Sequence, residues 1–272
     1  MSNNLRRILT ALVAAPVVLG LAYLGGWWFA ALVALIGLVG QTELYDMART
    51  TGAAPNYTVG LVLGALAVAT LAHPTLWPVA ALWLLTGMVV VPFVLPQEEF
   101  LTSLCVTLAG AVYPTGLLGG LVLLRTARTP AVDATRAFWL TALTLLLVWA
   151  TDVFAYYVGR RFGRRPLAPD ISPSKTWEGT LGGFGAALLV AVVLKLTVLG
   201  ALAWSHVGAL ILIGGGVGQI GDLVESQLKR STGAEDASSI LPGHGGMLDR
   251  FDAMAVAAPL IYLYLHGIAG IV

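Results

Sequence analysis

Charge is what this sequence has little of. Among 272 residues there are 15 Lys or Arg and 14 Asp or Glu, 11% in all, where a water-soluble domain carries about 25%. So few charges cannot coat a water-facing surface of this size, which excludes an ordinary soluble globular protein. Disorder is excluded as well, because disordered chains are charge-rich and apolar-poor, whereas 58% of this chain is hydrophobic and its mean hydropathy is +0.85. A formal net charge of +1 leaves no basic footprint, so no nucleic acid partner is expected. Cysteine is nearly absent: Cys105 stands alone, forms no intrachain disulfide, and reads as a membrane packing residue. The alternation of a membrane β-barrel is missing too. What is present is a series of runs apolar on every side, the pattern of an all-α, polytopic integral membrane protein.

The first charge-free run, Ile8 to Thr42, would make one helix of about 50 Å against a hydrocarbon core of roughly 30 Å. Gly25-Gly26 divides it, predicting spans Ile8–Leu24 and Trp27–Tyr45. Arg6 and Arg7 before an apolar run imitate a signal peptide, but no clear small-residue cleavage site follows, so an uncleaved first helix is expected. His73-Pro74 divides the next run into Val59–Leu71 and Leu76–Leu95. Further spans are expected at Leu101–Leu124, Ala137–Tyr157, Thr180–Leu199, Ala203–Gly221 and Ala253–Ile271, about nine in all. Five would form an N-terminal region, 1–136, and the rest a C-terminal catalytic region, 137–272. With the N-terminus in the cytoplasm, eleven of the Lys and Arg residues fall inside and Arg125, Arg128, Arg136 and Lys195 outside, the positive-inside bias of a multi-pass cell-membrane protein. The three arginines in the loop between spans five and six run against that bias and leave an even number of spans before the loop as the alternative. Glycine pairs at spacing four, such as Gly179/Gly183, suit close helix approach but carry little weight in a chain with 32 glycines.

The few charges are concentrated. Asp152–Glu178 and Asp222–Asp252 hold 17 of the 29, and both lie on the expected cytoplasmic side, which points to one polar site at that face. Ser172-Pro173-Ser174-Lys175-Thr176-Trp177-Glu178-Gly179 offers hydroxyls, an ammonium and a carboxylate within eight residues, groups that hold phosphate oxygens. Its plain alternative is a helix entry capped by Ser172 or Ser174, with Glu178 facing the helix dipole. Asp222, Glu225, Ser226 and Lys229 stand at i, i+3, i+4 and i+7, one face if helical, and carboxylates followed by Lys229-Arg230 suit a metal ion beside a phosphate chain. The plain alternative there is a salt-bridged helix end. In Leu241–Asp252, glycines around His244 let backbone N–H groups approach an anion. Asp249 and Asp252 supply the hard oxygens that Mg2+ prefers.

Together these residues resemble the signature of the phosphatidate cytidylyltransferases, or CDP-diacylglycerol synthases. That pattern is Ser, two residues, Lys-Arg, four residues, Lys-Asp, a short spacer, then Pro/Gly-x-His-Gly-Gly-x-x-Asp-Arg-x-Asp. It is matched here by Ser226, Lys229, Arg230, Asp236, Pro242, His244, Gly245, Gly246, Asp249, Arg250 and Asp252. Glu235 departs from it, standing where the family has Lys. The family's Ser-Pro-x-Lys-Thr-x-Glu-Gly element is Ser172–Gly179, and its Asp-x-x-Ala-Tyr element is Asp152, Ala155 and Tyr156. The resemblance is strong from about Trp149 onward and looser before it.

It implies the reaction CTP + phosphatidate → CDP-diacylglycerol + pyrophosphate. It further implies Asp222 and Asp249 as main Mg2+ ligands with Ser226, Glu225 and Asp252 behind them, and a second, monovalent cation beside the Mg2+. Lys175, Lys229, Arg230 and Arg250 would meet phosphates. Ser172, Thr176, His244, Gly245 and Gly246 would complete the anion cradle, with Glu178 and Asp236 among the substrate-binding residues. The expected partners are CTP, phosphatidate and the bilayer, with a homodimer as one candidate assembly. Competing classes are a CTP-dependent enzyme acting on a polyprenyl or archaeal-type lipid phosphate, a transporter using Asp152 and Asp222, and a non-catalytic scaffold. Clustering of charge at one face counts against the transporter, and the intact Asp222, Asp249, Lys229 and His244 count against the scaffold.

Overall fold

The computed structural model describes residues 3–94, 100–234, 236–238, 240 and 245–272. Its α-helices are α1 (Asn3–Leu24), α2 (Gly26–Arg49), α3 (Tyr57–Ala72), α4 (Trp77–Val94), α5 (Phe100–Gly110), α6 (Gly120–Thr126), α7 (Ala134–Phe162), α8 (Trp177–Thr197), α9 (Trp204–Ile211), α10 (Gly218–Thr232) and α11 (Leu248–Leu263). Wider π-helical turns at Ala111–Gly116 and Leu212–Val217 fall between α5 and α6 and between α9 and α10, and a third, Tyr264–Ile268, extends α11. Among the described residues six helical stretches are long and apolar enough to cross a membrane: Gly26–Arg49, Phe100–Thr126, Ala134–Phe162, Trp177–Thr197, Trp204–Thr232 and Leu248–Ile268. Leu12–Leu24, Tyr57–Ala72 and Pro74–Val89 are shorter apolar helices. The chain is an all-α polytopic membrane protein.

Local chemistry explains the breaks. Gly25 and Gly26 have φ of 67° and 55°, a left-handed conformation that favours glycine, and they separate α1 from α2. His73 is extended before Pro74, as a residue preceding proline tends to be, and a short 3-10 turn follows. Asn56 caps α3 and Asp133 caps α7 by accepting the backbone N–H of Val59 and Arg136.

Three sequence expectations are corrected. The helix expected to end at Gly221 continues to Thr232, so Asp222, Glu225, Ser226 and Lys229 are helical. The last helix starts at Leu248, so Asp249 and Asp252 lie in its first turns. The segment before α8 is a two-stranded antiparallel hairpin, β1 (Pro166–Ala168) with β2 (Ser172–Thr176). The α8 cap is accordingly Thr176, whose hydroxyl oxygen accepts the Gly179 N–H at 3.1 Å, and not Ser172 or Ser174, which lie in the strand.

The helices form two compact units, whose grouping runs across the 136/137 division read from sequence. One contains Met1–Leu123 and Lys229–Phe251; the other contains Leu124–Leu228 and Asp252–Val272. The first encloses a polar core. Gln41 donates to the Tyr45 hydroxyl at 2.7 Å, Tyr45 donates to the Thr107 carbonyl at 2.6 Å, and Thr115 donates to Gln41 at 2.8 Å. Each of these buried polar groups thereby has a partner, as burial requires. The second has an apolar core that includes Leu140, Leu143, Leu147, Ala187, Leu210, Ile261 and Leu265.

In the second unit α7 and α8 pack closely because glycine leaves room. A Cβ on Gly179 would lie 2.7 Å from the Ala155 carbonyl oxygen and 3.2 Å from the Gly159 Cα, both backbone atoms that cannot swing aside. The spacing-four pair given little weight in the sequence is therefore a packing feature. We expect Gly179→Val to destabilise the protein by about 3 kcal/mol, the upper range for overpacking. Gly185→Val, where nothing lies within 4 Å of an added Cβ, should be much milder. Thermal unfolding of the two variants in detergent reads the difference, and equal melting temperatures would refute it.

Candidate active site

The carboxylates of α10 and α11 meet in the second unit. Gly221 makes this possible: a Cβ there would stand 2.8 Å from the Asp252 carbonyl oxygen and 3.1 Å from the Ala253 Cα. Its absence lets the helices touch one residue before Asp222. The outcome is a cluster of Asp222, Glu225 and Asp252, each offering an oxygen within 4.8 Å of the others. Glu225 is 1% exposed and Asp252 4%. Three carboxylates this close, two of them buried and Asp222 partly exposed, repel one another and carry a desolvation cost unless cations neutralise them. One cation is on hand, since Lys175 Nζ on β2 lies 2.6 Å from Asp222 Oδ2. Asp252 Oδ2 is buried and has no hydrogen bond among the described residues. Hard oxygen donors, excess negative charge and an unpartnered carboxylate oxygen fit a divalent cation such as Mg2+.

Nearby positions have other employment. Ser226 is buried on α10 and Ser172 at the start of β2. Thr176 caps α8, and Glu178 Oε2 accepts the backbone N–H groups of Arg164 and Arg165 at 3.0 and 3.2 Å.

The first unit holds the other part of the signature. Lys229 Nζ lies 2.7 Å from Asp249 Oδ1. Asp249 Oδ2 accepts the N–H groups of Gly246 and Ala237 at 2.7 and 3.1 Å. Gly245 has φ +77°, and a Cβ there would sit 2.8 Å from Asp249 Oδ2, so this turn is built around that carboxylate. Asp249, read from the sequence as a main metal ligand, is thus placed with Lys229, while Asp222 is placed with Glu225 and Asp252. Arg230, Asp236 and Arg250 are exposed. His244, Pro242 and Glu235 lie outside the described residues.

Glu43 went unnoticed in the sequence. It lies on α2 and is 2% exposed, yet its carboxylate accepts the Met247 N–H at 2.9 Å, the Leu248 N–H at 2.7 Å and the Ser238 hydroxyl at 2.5 Å. It therefore caps the N-terminus of α11 from about two hundred residues away in the chain, where anionic groups are stabilised. The signal that points to it is an acid following Gln41-Thr42 at the end of a long charge-free run, within a helix apolar enough to cross a membrane; ionisable residues in such spans are usually functional.

A helical membrane protein with a buried carboxylate cluster, a lysine on its rim and a second lysine–carboxylate pair in a glycine turn belongs to the class of membrane enzymes that handle phosphate groups. Residues 5–268 match the model of the cytidylyltransferase family, and the chain belongs to that family. It is 35% identical over 286 residues to a phosphatidate cytidylyltransferase of Synechocystis sp., covering 96% of each chain. It is 34% identical over 268 residues to the enzyme of that name from Brucella abortus, covering 97% of this chain and 94% of the relative. A third, from Bacillus subtilis, is 43% identical over 120 residues, 44% of this chain and 45% of the relative.

Proposed function

We propose that this protein transfers the cytidylyl group of CTP to phosphatidate, forming CDP-diacylglycerol and pyrophosphate for phospholipid biosynthesis. One observation carries the assignment: similarity to relatives named for this reaction extends over nearly the whole chain. The geometry is compatible with the chemistry. A phosphate oxygen of phosphatidate attacks the α-phosphorus of CTP. A new P–O bond forms, the bond from that phosphorus to the bridging oxygen breaks, and pyrophosphate leaves with the electron pair. No covalent enzyme intermediate is required. The protein must bring two polyanions together and offset their charge.

Asp222, Glu225 and Asp252 are our proposed ligands for Mg2+, which when bound supplies positive charge to phosphate oxygens. Asp249, held by Lys229, is a fourth candidate, and a second, monovalent cation belongs to the same reading. Lys175 sits on the rim of the carboxylates and can meet an incoming phosphate. Lys229, Arg230 and Arg250 are assigned to phosphates, and Ser172, Ser226, Gly245, Gly246 and His244 to the anion cradle. Finer topology is also part of this proposal. Six long and three shorter apolar helices would give nine crossings, the Lys and Arg distribution supports a cytoplasmic position for the polar loops, and a homodimer is the candidate assembly.

The test is product formation by purified protein with labelled CTP, Mg2+ and a lipid panel. Phosphatidate is expected to be used at least about tenfold better than a polyprenyl phosphate or an archaeal-type lipid phosphate, a discrimination of roughly 1.4 kcal/mol. Preference for either of the others would move the assignment to a different lipid substrate, and absence of any product would overturn it.

A further inference from the structure

Where α7 ends and α8 begins, the second unit has a groove of about 540 Å3 lined by Arg164, Arg165, Trp177, Glu178 and Leu181. Neither guanidinium makes a hydrogen bond or ion pair among the described residues. Their backbones are nonetheless fixed, because both N–H groups are held by Glu178 Oε2. The same carboxylate leaves the lining with one net positive charge, and Arg160 and Arg161 add two more just upstream. Those two are turned to aromatic neighbours: Arg160 donates to the Tyr156 hydroxyl at 3.1 Å, and Arg161 lies 5.5 Å from the centre of the Phe162 ring. The Arg164 and Arg165 guanidinium groups make no hydrogen bond among the described residues, and Arg165 feels the Glu178 charge without pairing to it.

Trp177 and Leu181 make the lining apolar beyond the charged residues. Trp177 is 53% and Leu181 68% exposed, and Leu188 and Leu196 continue the exposed line along α8 at spacings that keep one helical face. Two exposed cations on an anchored backbone at the head of an exposed apolar strip, with a tryptophan at the junction, match a molecule that is anionic at one end and oily beyond it. Tryptophan and arginine occupy this depth of a bilayer because one end of each site is wet and the other apolar. A free phosphate would use the arginines and leave the strip bare.

We propose that this groove binds the phosphate headgroup of an anionic phospholipid, whose acyl chains lie along the exposed face of α8. Two sources share that chemistry: phosphatidate, in which case the groove is an entrance for the substrate of the reaction proposed above, and a non-substrate lipid such as phosphatidylglycerol. Binding needs only the bilayer, so it is read without turnover.

The experiment uses the whole protein in nanodiscs and the quenching of Trp177 by brominated phospholipids. The Trp177 signal is the difference between parent and Trp177→Phe. Brominated phosphatidylglycerol is expected to quench it more strongly than brominated phosphatidylcholine. Arg164→Gln and Arg165→Gln should each weaken the preference by about fivefold, the effect of one basic residue near an anionic surface, while the Arg164→Lys/Arg165→Lys double variant retains it. Adding unbrominated phosphatidate or phosphatidylglycerol then separates the sources: relief mainly by phosphatidate marks a substrate entrance, and equal relief marks a general anionic-lipid site. Equal quenching by the two brominated lipids, a preference that survives removal of both arginines, or relief by inorganic phosphate at constant ionic strength would overturn the proposal. Loss of CDP-lipid synthesis with the quenching preference intact would count against the transferase assignment alone.

Discussion

Replacing Asp252 by Asn is expected to lower CDP-lipid formation by about a thousandfold, the scale on which loss of one charge-stabilising group is felt at a reacting phosphate. Asp252 lies in the carboxylate cluster with Asp222 and Glu225, and one of its oxygens is buried with no hydrogen-bond partner among the described residues. The amide is nearly isosteric but neutral, so it takes away a ligand charge without opening a cavity. Stability gives a readout independent of turnover. In the parent without divalent cation, three close carboxylates repel. The variant relieves part of that repulsion and is expected to be at least as stable as the metal-free parent. Adding Mg2+ should then raise the melting temperature of the parent clearly and of the variant little, since stabilisation by a ligand follows its affinity for the folded state. A variant that keeps both turnover and the Mg2+ response would remove Asp252 from the metal site.

Glu43→Ala is the second large effect. Three donors, the N–H groups of Met247 and Leu248 and the hydroxyl of Ser238, lose their acceptor at the start of α11. Orphaned buried donors cost about 1–3 kcal/mol each, which loosens the turn that holds Asp249 against Lys229. We expect turnover to fall by about a hundredfold, since misplacement of about 1 Å costs that much. Glu43→Gln keeps one acceptor oxygen and should fall between parent and Ala. Hydrogen exchange of the Gly246, Met247 and Leu248 amides distinguishes this from general unfolding: they should exchange faster in the Ala variant while the α7 and α8 amides do not change. Uniform acceleration across the chain would make Glu43 a plain stability residue.

Much of the helical layout was legible in the sequence because bilayer-spanning segments announce themselves by lack of charge, and the Gly25-Gly26 and His73-Pro74 breaks sit where backbone rules put them. Carboxylates at Asp222 and Glu225 were legible as one helical face. That Asp252 joins them was open to suspicion from its signature, but the contact depends on Gly221, a residue whose importance lies in an atom it lacks. Asp249 shows the limit. Its preference for Lys229 and two backbone amides is set by the Gly245 turn, which spacing does not reveal. The hairpin before α8 was hidden because it is short and rich in proline, and Glu43 because its partners lie far along the chain. Contacts between distant segments leave no periodic trace.

The helical stretch that carries Asp222 and Glu225 passes through a widened turn at Leu212–Val217, three of whose six residues are glycine. Such a turn takes more residues per revolution than the α-helix on either side. It therefore resets the rotational phase of everything that follows. The side chains on Trp204–Ile211 are offset by a fixed angle from the bearing that an unbroken α-helix would give them relative to the carboxylates on Gly218–Thr232, so one rod serves two bearings.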